Sequence, residues 1–208
     1  MNSPVTVDIF VEDRAHEAFL VPMLQRIARE EGLVVSSRVR SARGGHGRAI
    51  AELKLYQQIV ETGMPGFAPP DLLLAGIDGN CSTFAKAKKA IEGATHAPFS
   101  DRLVVACPDP HVERWYLADA ASFKDVVGHQ PTIGKKKCVR DYYKNALANA
   151  VRKAGHPATL GGIEFAQELV ESMDLYRAGK NERSLKSFMD DLRARLRAVH
   201  AASGGGDK

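Results

Sequence analysis

Through the first half of the chain, short β-branched or aliphatic runs alternate with apolar stripes at helical spacing. This alternation confines the fold to a mostly parallel sheet with helical crossovers. Val5–Val11 is rich in β-branched residues and stops at Glu12-Asp13. Phe19, Met23 and Ile27, with Leu20 and Leu24 beside them, predict a helix from about Ala15 to Glu31 that Gly32 ends. Pro22 lies inside this stripe and predicts a kink or a late helix start, because an interior proline removes one hydrogen bond and crowds the preceding turn. Leu33–Val39 reads as a second strand, followed by the glycine-rich loop Ser41–Arg48 and a helix carrying Ile50, Leu53, Ile59 and Val60. The strand Asp71–Ile77 holds the continuous apolar run of a parallel strand covered on both faces, and it stops at Asp78-Gly79-Asn80. Ser82 is placed to cap a short helix with Phe84, Ala87 and Ile91, and Leu103–Cys107 reads as a fourth buried strand.

Beyond Pro108-Asp109-Pro110 the spacing turns helical, over Val112–Asp119, Cys138–Ala154, Ile163–Tyr176 and Ser184–Val199. The expected fold class is therefore α/β: a mostly parallel sheet with helices on both faces over residues 1–119, a helical carboxy-terminal region over 120–201 packed on it, and a flexible tail at 202–208. The chain has 208 residues and is 44% hydrophobic, enough for one ordinary core. No apolar run approaches the ~18 residues of a spanning helix, and the opening residues lack the basic and apolar segments of a secretory signal. The expectation is a cytoplasmic protein with no membrane contact. Three cysteines, Cys81, Cys107 and Cys138, stand far apart with no Cys-x-x-Cys pair, which predicts reduced thiols and no structural zinc.

Charge is uneven: residues 1–123 carry 13 Lys/Arg against 15 Asp/Glu, whereas residues 124–208 carry 16 against 10. The basic half is where a polyanion would be held, or else a solvated basic surface. In a parallel sheet the carboxyl ends of the strands share one edge, so Glu12, Asp78, Asp109 and Glu113 are brought together from distant parts of the chain. Clustered carboxylates repel one another, and a hard divalent cation held by oxygen ligands is the usual way to neutralise them, so the pattern predicts a Mg²⁺ site. His16 and His111 each stand near an acidic strand end, where they are placed to position water or phosphate. Arg43-Gly-Gly-His-Gly-Arg48 is either an anion clamp at a helix amino end or a surface loop. Lys135, Lys136 and Lys137, with Arg140 and Tyr142-Tyr143, either grip a nucleic-acid backbone or form a basic helix start. No nucleophile elbow or thiol-enzyme motif is present.

Val7-Asp-Ile-Phe-Val-Glu12 with His16-Glu17 and Phe19-Leu20, then Leu72-Leu-Leu-Ala-Gly-Ile-Asp78-Gly-Asn80, resembles the TOPRIM domain of topoisomerases, primases and OLD-type nucleases. Cys107-Pro-Asp-Pro-His-Val-Glu-Arg-Trp-Tyr-Leu-Ala-Asp119, with Gly162-Ile-Glu-Phe-Ala and Ser184-Leu-Lys-Ser-Phe-Met, is similar to small stand-alone bacterial TOPRIM-like proteins encoded beside ATPases in phage-defence settings. The resemblance implies a Mg²⁺-dependent nuclease, with Mn²⁺ as a substitute. It makes Glu12 and Asp78 catalytic acids at the metal, with Asn80 at the motif's second position; Glu113, which closely follows strand four, is expected from its place in the chain to complete the acidic patch as a third catalytic acid and metal ligand. The family's Asp-x-Asp has its second aspartate replaced here by Asn80, which keeps a carbonyl oxygen but loses a charge. The implied partners are nucleic acid, DNA or RNA, held by Arg43, Arg48, Lys135, Lys136, Lys137 and Arg140, and an ATPase protein; a homo-oligomer is left open. The alternative is an impaired TOPRIM-like module that binds nucleic acid or the ATPase without cutting.

Overall fold

The computed structural model describes residues 3–40 and 44–204. Four parallel strands form one sheet in the order β2-β1-β3-β4: β1 Val5–Val11, β2 Val35–Val39, β3 Leu72–Gly76 and β4 Leu103–Ala106. The all-apolar β3 and β4 are buried along their whole length, while Val35-Ser-Ser-Arg-Val39 is half exposed and takes an edge. β1 and β3 are neighbours, with Val11 opposite Gly76, so the chain's direction of winding reverses between them and leaves a crevice at their carboxyl ends.

α1 (Arg14–Glu30) starts directly after β1 because the Asp13 side chain accepts from the His16 amide at 3.0 Å. Of the kink or late start expected from Pro22, the late start is not observed: the helix begins at Arg14 and continues through the proline. α2 (His46–Glu61) and α3 (Phe84–Glu92) lie on the opposite face. Thr83, rather than Ser82, caps α3, accepting from Lys86. The helical stretches beyond β4 are more numerous than the periodicity suggests, and all but the last are short: α4 (Glu113–Tyr116), α5 (Ala120–Val127), α6 (Tyr142–Lys153), α7 (Ala166–Ser172), α8 (Leu175–Asn181) and α9 (Arg183–Gly204). The stripe from Ile163 to Tyr176 is broken at Met173, where the backbone turns extended. α9 continues through Ala202 to Gly204, so the first part of the expected flexible tail is helical.

The two faces have separate cores. The larger one joins α1 to the carboxy-terminal helices through Phe19, Leu24, Trp115, Leu169, Phe188 and Leu192, whereas the smaller one packs α2 and α3 on Phe10, Leu73, Ala75 and Val105. Gly76 leaves room where α1 crosses the end of β3, since a β-carbon there would press on the Leu20 side chain at 3.0 Å.

One expectation is corrected. Cys81 is joined to Cys138 as a disulfide, with Cα atoms 4.7 Å apart, and only Cys107 is free and buried. The two are 57 residues apart and meet only because the loop after β3 and the segment before α6 fold to the same sheet edge, so no local spacing announced them. Part of the carboxy-terminal positive charge is also neutralised within the chain: Arg193 pairs with Glu30, and Arg197 with Glu31 on α1.

Candidate metal centre

Glu12, His16 and Asp78 meet at the crevice between β1 and β3. Each offers one ligand atom, and these atoms lie within 4.8 Å of one another. The arrangement begins in the backbone. Glu12 continues the sheet, donating its amide to Gly76 O at 3.1 Å, while its carbonyl accepts from Gly45 N at 3.2 Å, ahead of α2. Its carboxylate accepts from the Asp78 amide at 3.0 Å, which ties the ends of the two strands together. His16 is the third residue of α1, so its ring bends back to the capping carboxylate, with Nδ1 2.8 Å from Asp13 Oδ1, and turns Nε2 toward Asp78 Oδ1 at 3.2 Å.

Asp78 is held from the other side by the segment after β4. The Val112 amide donates to Oδ1 at 2.9 Å, and His111 Nδ1 lies 2.8 Å from Oδ2. Gly79 permits this approach: its amide donates to Pro108 O at 2.8 Å, and a β-carbon would stand 2.9 Å from that same carbonyl. The turn contains the cis peptide Asp109-Pro110.

Charge is concentrated in this small volume. Burial alone would raise the Asp78 carboxyl, but the charge of His16 and the hydrogen bond from His111 hold it below the usual range. Burial would likewise lower His16, yet Asp78 and Asp13 outweigh it and lift the imidazole to about 10. Asp13, raised by burial and lowered more strongly by its bonds to His16, falls to about 2. His111 is raised, mainly by its bond to Asp78. Glu113 is raised by burial, with the charges of Asp78 and Asp13 adding to the effect.

A cavity of about 380 Å³ opens here, lined among others by Asp13, Asp78, Asn80, His111, Glu113 and Arg140. Of the acids expected at the metal, Glu12 and Asp78 are brought together directly. Glu113 lines the same cavity but does not belong to the ligand-spaced group. Asn80 adopts a left-handed backbone (φ 49°) and folds its amide back toward Asp78 O at 3.4 Å. His16 takes the third place in the group. The signal for it was the Asp13-x-x-His16 spacing, which puts the ring one helical turn beyond the cap.

The expected nucleic-acid contacts divide. Arg140 is almost fully exposed on the cavity rim. Lys135 and Lys136 are exposed, and Lys137 pairs with Asp109 at 2.7 Å. Arg48 is exposed on the first turn of α2, paired with Glu52, so it stands near Glu12 through the Gly45 contact. Arg43 lies outside the described residues.

His16 Nε2 is buried without a hydrogen bond, although it lies within ion-pair distance of Asp78. A buried nitrogen beside the Asp78 carboxylate with no hydrogen bond of its own fits a ligand position once a cation displaces its proton. Two carboxylates and one imidazole could hold a divalent metal ion. Comparison with protein-family models, with curated proteins and with solved structures finds no match for this chain. No helix among the described residues is long and apolar enough to cross a membrane.

Proposed function

We propose that the protein is a divalent-metal-dependent nuclease that hydrolyses phosphodiesters at the crevice between β1 and β3, as an effector working with an ATPase partner in phage defence. The observation that carries the hydrolytic part is the Glu12, His16 and Asp78 group, with its unbonded buried nitrogen, at the sheet's switch point. The defence setting and the ATPase rest on the TOPRIM resemblance alone.

Glu12, His16 and Asp78 would hold the cation, and Mn²⁺ suits the mixed oxygen and nitrogen set better than Mg²⁺, which favours oxygen ligands. Bound there, such an ion supplies Lewis-acid activation of water and positive charge for a leaving oxygen. The chain's own residues do the rest. Arg140 and Lys144, which line the cavity, offer charge to the phosphates on either side of the reacting one. Glu113, whose carboxyl is raised by burial, holds a proton more readily than an ordinary glutamate and is positioned to give it to a departing oxygen. His111 fixes Asp78 by its Nδ1 contact.

A non-cutting module is favoured by one observation: Asp78 already accepts from Val112 and lies against His16 and His111, so its charge is balanced with no cation. Incubation of plasmid, single-stranded DNA and RNA with the protein in Mn²⁺, Mg²⁺ and EDTA separates the two. The nuclease predicts cleavage in Mn²⁺ that exceeds that in Mg²⁺, stops in EDTA and is lost in Asp78→Ala and Glu12→Ala. Intact substrates under every condition, with retained binding, would establish the module instead.

A further inference from the structure

Next to the metal cavity, on the other side of the turn at Asp109, lies a second cavity of about 460 Å³ with a different chemistry. Its walls carry Arg114, Lys135, Lys136, Lys137 and Arg183 against two acids, Asp109 and Glu182. The acids are already matched: Lys137 pairs with Asp109 at 2.7 Å and Arg114 with Glu182 at 2.6 Å. Among the described residues Lys135, Lys136 and Arg183 make no ion pair, so three positive charges face the cavity uncompensated.

Two further features aim at the same space. The 22-residue helix α9 begins at Arg183, and its first two residues, Arg183 and Ser184, line the cavity, so the positive end of the helix lies at its wall. Ser184, only 4% exposed, lines it as well. Its Oγ accepts from Trp115 Nε1 at 2.9 Å and from the Asp109 amide at 3.3 Å, which uses both lone pairs. The hydroxyl proton has no acceptor among the described residues and is left for whatever enters the cavity.

We propose that this cavity binds the phosphomonoester group at the end of a nucleic-acid strand. A terminal phosphate carries about −1.5 to −2 charge near neutrality, whereas an internal phosphodiester carries one, so three uncompensated cations, a helix amino end and a hydroxyl donor match the terminal group better. Phe84 also lines the cavity and is, among the described residues, its one aromatic side chain, against which the first base would stack. The strand then continues past the Asp109 turn toward Asp78. The choice of a nucleic-acid strand rests on the proposed nuclease function, but binding of the phosphate group does not require the metal and is measured without it.

Trp115 is the chain's one tryptophan and is hydrogen-bonded to Ser184, so its fluorescence reports on this cavity. In EDTA, the full chain is titrated with inorganic phosphate, with pyrophosphate, and with one short single-stranded oligonucleotide in three forms: 5′-phosphorylated, 3′-phosphorylated and without terminal phosphate. The expected result is a saturable fluorescence change with phosphate. One phosphorylated form should bind at least about tenfold tighter than the bare oligonucleotide. Lys135→Ala/Lys136→Ala and Arg183→Ala should abolish that preference while leaving the Trp115 spectrum of the free protein unchanged. Equal affinity for all three oligonucleotides, even if the lysine variant weakens them all, would overturn the strand-end site and leave a general backbone contact. No response to phosphate together with no effect of the variants would overturn it entirely. Loss of cleavage with a retained terminal-phosphate preference would count against the nuclease alone.

Discussion

His16 Nε2 lies 3.2 Å from Asp78 Oδ1, near enough for an ion pair but outside hydrogen-bond geometry, and no other group bonds it. In the metal-free protein this nitrogen carries the imidazolium proton beside Asp78, and a cation would take that proton's place. His16→Ala is therefore expected to weaken Mn²⁺ binding by at least about tenfold in a calorimetric titration. An unchanged affinity would remove His16 from the ligand set.

The same contacts set a pH window for the metal-free protein. The His16 imidazole is raised from 6.5 to about 10, so its stabilising contribution is complete below about 6.5 and is lost as pH rises through 10. Asp13 is lowered from 3.8 to about 2 and Asp78 is lowered in the same direction, so their contributions are present above about 4 and are lost as pH falls through the depressed values. Urea midpoints in EDTA should be highest between about pH 4 and 6.5 and decline toward pH 9, with His16→Asn flattening the alkaline limb. A wild-type midpoint that is level from pH 5 to 9 would contradict this.

Asn80 sits in a left-handed backbone that aspartate also tolerates, so Asn80→Asp changes charge with little strain. The new carboxylate loses the amide contact to Asp78 O and adds a negative charge to the cavity that Asp78 and Glu113 line. Mn²⁺ affinity should rise severalfold in calorimetry. Equal affinity in the two proteins would mean that residue 80 does not face the cation.

Asp119 is 1% exposed and accepts from Ser122 Oγ at 2.6 Å, from the Asp174 amide at 2.9 Å and from Arg177 Nε at 2.6 Å, fastening α5 to α8. Asp119→Ala leaves the Asp174 amide without its acceptor, while Ser122 keeps Ser172 O and Arg177 keeps the Asp174 carboxylate nearby. Allowing for the half-exposed guanidinium, the cost should be about 2 kcal/mol in urea unfolding. A change below about 0.5 kcal/mol would show that water replaces the carboxylate freely.

The parallel sheet, the order of its elements and the convergence of Glu12 with Asp78 were legible in the sequence, because hydrophobic period and strand polarity are local properties that fix which ends meet. His16 was noticed but not placed among the ligands, since its aim depends on Asp13 acting as a helix cap. Glu113 was placed at the right edge, yet α4 is a single short turn, and its carboxyl lines the cavity without entering the ligand-spaced group. The Cys81–Cys138 pair and the break at Met173 were not legible. Both are decided by packing between segments distant in the chain, which leaves no period to read.

The unequal layers on the two faces of the sheet divide the ligand group between a stiff wall and a yielding one. His16 rides on α1, which is clamped by α7 and α9 in the larger core, whereas the Glu12 carbonyl is tied through Gly45 to the lightly covered α2. Amide exchange should therefore be faster over α2 and α3 than over α1, and a strand approaching Glu12 would be admitted by breathing of the α2 side while the imidazole stays in place.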